Sequence, residues 1–219
     1  MVATPIRTNI PKPVGEQRVA FHNLSWDDCL KIFQALPQDR HSRLSFCNGT
    51  LEITAPLEDH EFALRLIELF IRLFVLEMGL KMKTMGSTTM NRKDVKKGAE
   101  PDCAYYIQNQ PQVAGRNVDF DKDPPPDLII EVDITNTNIN KNQLYAAMGV
   151  PEFWRYNGET LRIFTLNNGE YEECETSPLF SIVQKEDLYR FLAEAVEDEM
   201  EAMRNFQAFL KQKITDEDN

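Results

Sequence analysis

The sequence predicts an α/β domain with a central mixed β-sheet, helices on its flanks and a long helix at the C-terminal end. Three observations lead there. The stretch "PDLIIEVDIT" carries Leu128, Ile129, Ile130 and Val132 as an apolar run of the kind buried on both faces in parallel or mixed sheets. Strand-like and helical segments alternate along the chain, as an α/β arrangement around one sheet requires. From Lys185 onward one apolar stripe repeats at helical spacing.

In chain order, residues 1–17 are proline-rich and aperiodic and are expected to form an extended arm. "SWDDCLKIFQAL" starts a helix at Ser25, which has Asp28 three residues on, and continues with apolar Trp26, Leu30, Phe33 and Leu36. "RLSFCNGTLEITAP" is a hairpin around Asn48-Gly49, the pair that suits a two-residue turn with positive φ. A long helix follows from about Glu58 to Gly79, with Glu61, Arg65, Glu68 and Arg72 on one polar stripe that reads as a solvated, internally paired face. "GAEPDCAYYI" and "PPPDLIIEVDI" are each expected as a strand, separated by a polar loop. "NKNQLYAAMGV" is a short helix ended by Gly149. "PEFWRYN" and "TLRIFTLNNGEYEECE" supply further strands, the latter turning at Asn168-Gly169.

The division expected is an arm over 1–17, a main domain over 18–185, and a helix with an acidic tail over 186–219. That helix, from Glu186 to about Lys213, would be ~40 Å long at ~1.5 Å per residue. Phe206, Phe209 and Leu210 would then lie beyond the reach of the body, a patch better covered by a symmetry mate, so a homodimer through this helix is expected.

The net charge of −11 and pI ≈ 4.8 argue against a surface that binds nucleic acid by bulk electrostatics. Ten acidic and four basic residues after position 185 account for −6 of that charge, so the remainder is nearer neutral. Cys29, Cys47, Cys103 and Cys174 are scattered without a CxxC pair, which points away from a zinc cluster and toward free thiols in a reducing compartment. No cationic-then-apolar signal opens the chain. The most apolar window, "LIELFIRLFVL", is broken by Glu68 and Arg72 and is too short to span a bilayer. A cytoplasmic protein without a membrane span is expected.

Asp127, Glu131 and Asp133 lie inside the buried-strand run and share one face with Ile129. A buried carboxylate is costly unless something positive or hydrogen-bonding meets it. Asp102 stands near the start of the neighbouring strand, Lys141 opens the following helix, and Glu61 begins the polar stripe. Carboxylates from adjacent strands suit Mg²⁺ or Mn²⁺, which take hard oxygen ligands and keep several waters. A nearby ammonium would hold a nucleophilic water or a phosphate. Any one strand carboxylate serves equally well as a salt-bridge partner, and Asp127, after a proline, suits capping or turn duty. His60 reads as an N-terminal helix residue, because no other histidine lies at useful spacing. Arg92, Lys93, Lys96 and Lys97, in "NRKDVKK", suit phosphate contacts or plain solvation. Lys141 is expected to matter little for folding, since Leu144, Tyr145 and Met148 hold its helix.

The ordered run "GSTTMNRKDVKKGAEPDCAYYI", "PDLIIEVDIT" and "KNQLYAAMGVPEFWRYN" resembles the Uma2-type proteins, the DUF820 group, common in cyanobacteria and assigned to the PD-(D/E)xK nuclease superfamily. The resemblance covers about residues 25–185. It implies a restriction-endonuclease-like sheet, cleavage of DNA (duplex by expectation), and Mg²⁺ or Mn²⁺ held by Asp102 and Glu131, with Asp133 beside them. The superfamily's usual lysine would stand at position 133, which is Asp133 here; Lys141 matches the place where the family carries its lysine. The family's Ser-Pro-Ser after the strand is "TNTN", Thr135 to Asn138, in this chain.

Overall fold

Two sheets, rather than the one expected, organise the chain. The computed structural model describes residues 15–217 except Gln38. Most of the expected arm therefore lies outside the described residues, and its last part does not: Glu16 and Gln17 already belong to a strand.

The first sheet is antiparallel, in the order β1 (Glu16–Phe21), β3 (Thr50–Pro56), β2 (Arg43–Cys47), β6 (Lys97–Ala99), β5 (Met90–Arg92). Its β2–β3 hairpin turns at Asn48 and Gly49, both at positive φ, as the sequence predicts. Alternation sorts its two faces. Leu44, Phe46 and Leu51 pack under helix α1 (Trp26–Ala35) with Cys29 and Phe33. Registers of β1 and β2 on β3 put Glu16, Arg18, Glu52, Thr54, Arg43 and Ser45 together on the opposite face.

The second sheet is the mixed sheet expected, in the order β11 (Glu170–Cys174), β10 (Leu161–Asn167), β9 (Glu152–Tyr156), β8 (Leu128–Val132), β7 (Cys103–Tyr106), β4 (Lys83–Thr84). Its β8–β9 pair is parallel. Buried on both faces, β8 sends Leu128, Ile130 and Val132 against helix α2 (Glu58–Glu77) and Ile129 toward helix α4 (Lys141–Ala147), beside Leu144, Tyr145 and Phe153. A short helix, α3 (Gln110–Val113), interrupts the polar loop before β8.

"GAEPDCAYYI" is two strands in two sheets: β6 ends at Ala99, and β7 begins at Cys103. Pro101, which has no N–H for a ladder, lies in the crossover and helps to break the run.

The C-terminal segment is also corrected. Helix α5 (Lys185–Glu197) stops at Asp198, whose extended backbone and side-chain Oδ1, accepting from Met200 N at 2.9 Å and Glu201 N at 3.0 Å, start helix α6 (Glu199–Glu217). The chain turns back there, so α6 lies on α2 and α5. Phe206 stacks on Phe70 with ring centroids 4.3 Å apart, Leu210 is fully buried, and Gln207 donates to Glu77 at 2.6 Å. Most of the patch that called for a symmetry mate is covered by the chain's own core, and the half-buried Phe209 carries Arg190 over its ring. Among the described residues no helix is long and apolar enough to cross a membrane.

Candidate functional site

The polar face of the first sheet closes over the carboxyl end of β8, and the buried charges collect there. The β7–β8 register pairs Cys103 with Ile130, so one step further Asp102 stands opposite Glu131. Both are buried, at 6% and 3% exposure. Asp102 Oδ2 accepts from Val132 N at 2.7 Å and lies 3.0 Å from His60 Nε2; its Oδ1 faces Arg43 Nη1 at 2.9 Å. Burial by itself would push this carboxyl up. His60, Arg43 and Lys141 outweigh it and hold Asp102 well below the usual carboxylate range.

Glu131 has the opposite balance. Its Oε2 accepts from Lys141 Nζ at 2.7 Å and its Oε1 from the Tyr145 hydroxyl. Burial dominates, the charge of Lys141 opposes it, and the neighbouring Asp102 and Asp133 add to it, leaving Glu131 pushed up to about 7. Asp133 is heavily paired: Oδ1 accepts from Lys141 at 2.7 Å and Arg18 at 2.6 Å, and Oδ2 from Arg155 at 2.8 Å. Burial disfavours its charge, but these three cations hold it below its ordinary value.

Lys141 is therefore not a surface residue. At 4% exposure its ammonium is clamped between Glu131 and Asp133, which overturns the expectation that it matters little for folding. Asn140 positions it by capping α4, its side chain accepting from Gln143 N. Arg18 bridges the two sheets: besides Asp133 it reaches Glu16 at 2.7 Å and Glu52 at 2.8 Å. Glu16 and Glu52 in turn hold the "TNTN" loop, accepting from Thr135 N at 2.8 Å, Thr137 Oγ1 at 2.7 Å and Asn138 N at 2.6 Å.

Asp102, Glu131, His60, Arg43 and Lys141 line one cavity of about 10 Å³, room for a single water-sized occupant. Among the described residues no group of three or more His, Cys, Asp or Glu side chains is arranged to hold a metal ion. The oxygen donors suit Mg²⁺ or Mn²⁺, which often take one or two protein carboxylates. The cavity has room for the ion alone, and the ion's remaining ligands would have to take the places that Arg43 and Lys141 hold.

Other predicted residues fall elsewhere. Glu61, at 35% exposure, touches neither Asp102 nor Glu131; it pairs with Arg43 at 3.0 Å and Arg65 at 2.9 Å. In its stripe Arg65 pairs with Glu61 and Glu68 as expected, whereas Arg72 donates to Thr84 Oγ1 at 3.4 Å, and Glu68 is not solvated but buried, accepting from Cys103 Sγ at 3.1 Å. Asp127 does turn duty, accepting from Ile107 N at 2.6 Å and Asn109 N at 2.9 Å. The basic cluster sits on the β5–β6 hairpin beside the far end of α4 and is largely paired. Arg92 binds Asp94 at 2.7 Å and Met148 O at 3.2 Å, Lys93 lies 3.4 Å from Asp121, and Lys97 donates to Asn48 at 3.2 Å; Lys96 occupies a left-handed turn position.

His60, Arg43 and Arg18 are the members that sequence reasoning missed. A lone histidine and two strand arginines carry no spacing signal; only the alternation that puts Arg18 and Arg43 on the face of Glu52 was available to find them.

The sequence matches the Uma2 family, described as "Putative restriction endonuclease", over residues 30–196. The chain belongs to the Uma2 family. A solved structure described as a "putative nuclease belonging to DUF820" from Anabaena variabilis ATCC 29413 superposes with a TM-score of 0.52 at 19% identity, over 76% of this chain and 98% of that one. At that identity it supports the shared Uma2 fold alone. No curated protein matches the sequence. Family membership supports a nuclease function.

Proposed function

We propose that the chain hydrolyses phosphodiester bonds in DNA with Mg²⁺ or Mn²⁺, held by Asp102 and Glu131. The observation that carries this reading is the cavity that both carboxylates share with the Lys141 ammonium. When bound, the metal would lower the pKa of a coordinated water and offset charge on the phosphoryl group. The chain's own residues do the rest. Val132 N–H and His60 fix Oδ2 of Asp102, and Tyr145 and Lys141 fix the two oxygens of Glu131. A ligand would be met by Asp102 Oδ1, which among the described residues has only the Arg43 contact, and by the second lone pair of Glu131 Oε2. Lys141 spends two of its three hydrogens on Glu131 and Asp133, and the third is available to the attacking water or a phosphate oxygen. Asp133 orients that ammonium and is itself fixed by Arg18 and Arg155. The water oxygen bonds to phosphorus as the bond to the leaving sugar oxygen breaks, and the water's proton ends on the leaving alcohol.

A second reading is an inactive nuclease fold that binds DNA or a protein partner. The closure of the site by its own ion pairs favours it. Incubation with single-stranded, duplex and branched DNA in Mg²⁺ or Mn²⁺, alongside calorimetry with Mn²⁺, separates the two. The enzyme reading requires cleavage and a heat of Mn²⁺ binding, both lost in Asp102→Asn and Glu131→Gln. Neither signal in the wild-type chain would leave the inactive fold.

A further inference from the structure

We infer that Arg43 is a phosphate clamp that in the metal-free chain serves as the counter-ion of Asp102, so that metal and phosphodiester bind cooperatively. The inference rests on the metal-dependent reading above. Its first support is the state of the guanidinium. Arg43 Nη1 lies 2.9 Å from Asp102 Oδ1 yet is buried without an aligned hydrogen-bond partner, so this pair is a charge contact with a donor left over. Oδ1 is also the Asp102 oxygen that Val132 and His60 leave to other ligands.

The second support is charge. Five buried carboxylates, Glu16, Glu52, Asp102, Glu131 and Asp133, meet four cations, Arg18, Arg43, Lys141 and Arg155. The cluster is already close to balance. A divalent cation added to it leaves an excess of positive charge in a poorly solvated place, and a phosphodiester anion relieves that excess. Metal without phosphate is then held weakly, and each raises the affinity for the other by the same factor.

The third support is the tether. Arg43 Nη2 donates to Glu61 Oε1 at 3.0 Å, and Glu61 is also bound by Arg65. When a metal takes Oδ1 from the guanidinium, Glu61 keeps Arg43 at the rim of the cavity with Nη1 free. A planar guanidinium suits the paired non-bridging oxygens of a phosphate. Glu61 thus gains a role at the site without touching the metal.

The test uses the full chain with two titrations: Mn²⁺ alone by calorimetry, and a fluorescein-labelled 20-base-pair DNA duplex by anisotropy with and without Ca²⁺. In the wild type Ca²⁺ should raise DNA affinity by at least about tenfold. Arg43→Gln should bind Mn²⁺ as tightly as wild type or tighter, because a competing cation is gone. It should lose most of the Ca²⁺-dependent gain for DNA, about tenfold or more, as the loss of a charge-assisted hydrogen bond predicts. Arg43→Lys keeps the counter-charge for folding but not the fork, and should retain Mn²⁺ binding with part of the gain. Weakened Mn²⁺ binding in Arg43→Lys, or an undiminished gain in Arg43→Gln, would overturn the clamp. Wild-type Mn²⁺ binding with no linkage to DNA refutes this inference alone; no Mn²⁺ binding either alone or with the duplex present refutes the metal-dependent reading beneath it.

Discussion

Replacing Lys141 with methionine should be among the most damaging single changes in this chain, although the residue opens a short helix and reads as a surface lysine. Its ammonium lies 2.7 Å from both Glu131 Oε2 and Asp133 Oδ1. At an effective dielectric near 20, each contact is a gross attraction of about 6 kcal/mol. Desolvation of the three groups offsets much of that, and breaking a buried pair by removing one partner costs about 3–5 kcal/mol. The two carboxylates are not equally exposed to the loss. Asp133 keeps Arg18 and Arg155, whereas Glu131 keeps only the neutral hydroxyl of Tyr145. Most of the cost therefore falls on Glu131, which without Lys141 must take up a proton or carry its charge unpaired, and replacing it by a neutral amide should restore stability. Urea denaturation at pH 7.5 should show Lys141→Met down by about 3–5 kcal/mol, and Lys141→Met with Glu131→Gln recovering at least half of it, with unchanged m values. A single variant within about 1 kcal/mol of wild type would refute the argument. So would a double variant no better than the single.

Three other outcomes are expected. Phe206→Ala should cost about 3–5 kcal/mol in the same assay, because the ring stacks on Phe70 in the core, while Met200→Ala at the exposed start of α6 should stay within about 0.5 kcal/mol; equal effects would mean that α6 does not fold back in solution. Millimolar Mn²⁺ should raise the melting temperature where NaCl of equal ionic strength does not, by an amount equivalent to about 2.7 kcal/mol at 100 times Kd, and Asp102→Asn should abolish the rise. Burial pushes the Cys29 and Cys103 thiols up to about 12 and raises Cys47, while Cys174 is only half-buried. One thiol should react with a disulfide reagent in the native chain and four in denaturant, and raising the pH from 7 to 9 should not recruit the buried three, since thiolates form only near the raised pKa.

Much of the fold was legible because it is local. Periodicity located α1, α2, α4 and the strands β8 to β11, and Asn48-Gly49 and Asn168-Gly169 announced their turns through their tolerance of positive φ. The pairing of Asp102 with Glu131, and the offer of Lys141 in place of a lysine at 133, could likewise be set out from the order of motifs. What stayed hidden depends on contacts between distant segments. "GAEPDCAYYI" has the composition of one strand, and only the packing of two sheets decides that it crosses between them at Glu100–Asp102. The break at Asp198 is carried by a single side chain with a capping role that means nothing until the helix turns back onto Phe70.

The same division holds at the site. Sequence alone determined which carboxylates lie in or next to buried strands, Glu131 within β8 and Asp127, Asp133 and Asp102 just outside β8 and β7. It also determined that some positive or hydrogen-bonding group must meet them, because desolvating a charge is costly wherever it happens. Tertiary structure alone decided which groups those are. Arg18 and Arg43 come from a sheet that the sequence did not announce, His60 from the start of a helix, and each is brought to Asp102 or Asp133 across at least 42 positions of chain. Side-chain alternation says which residues share a face. The docking of one face on another, which depends on the shape of the whole core, says what that face meets.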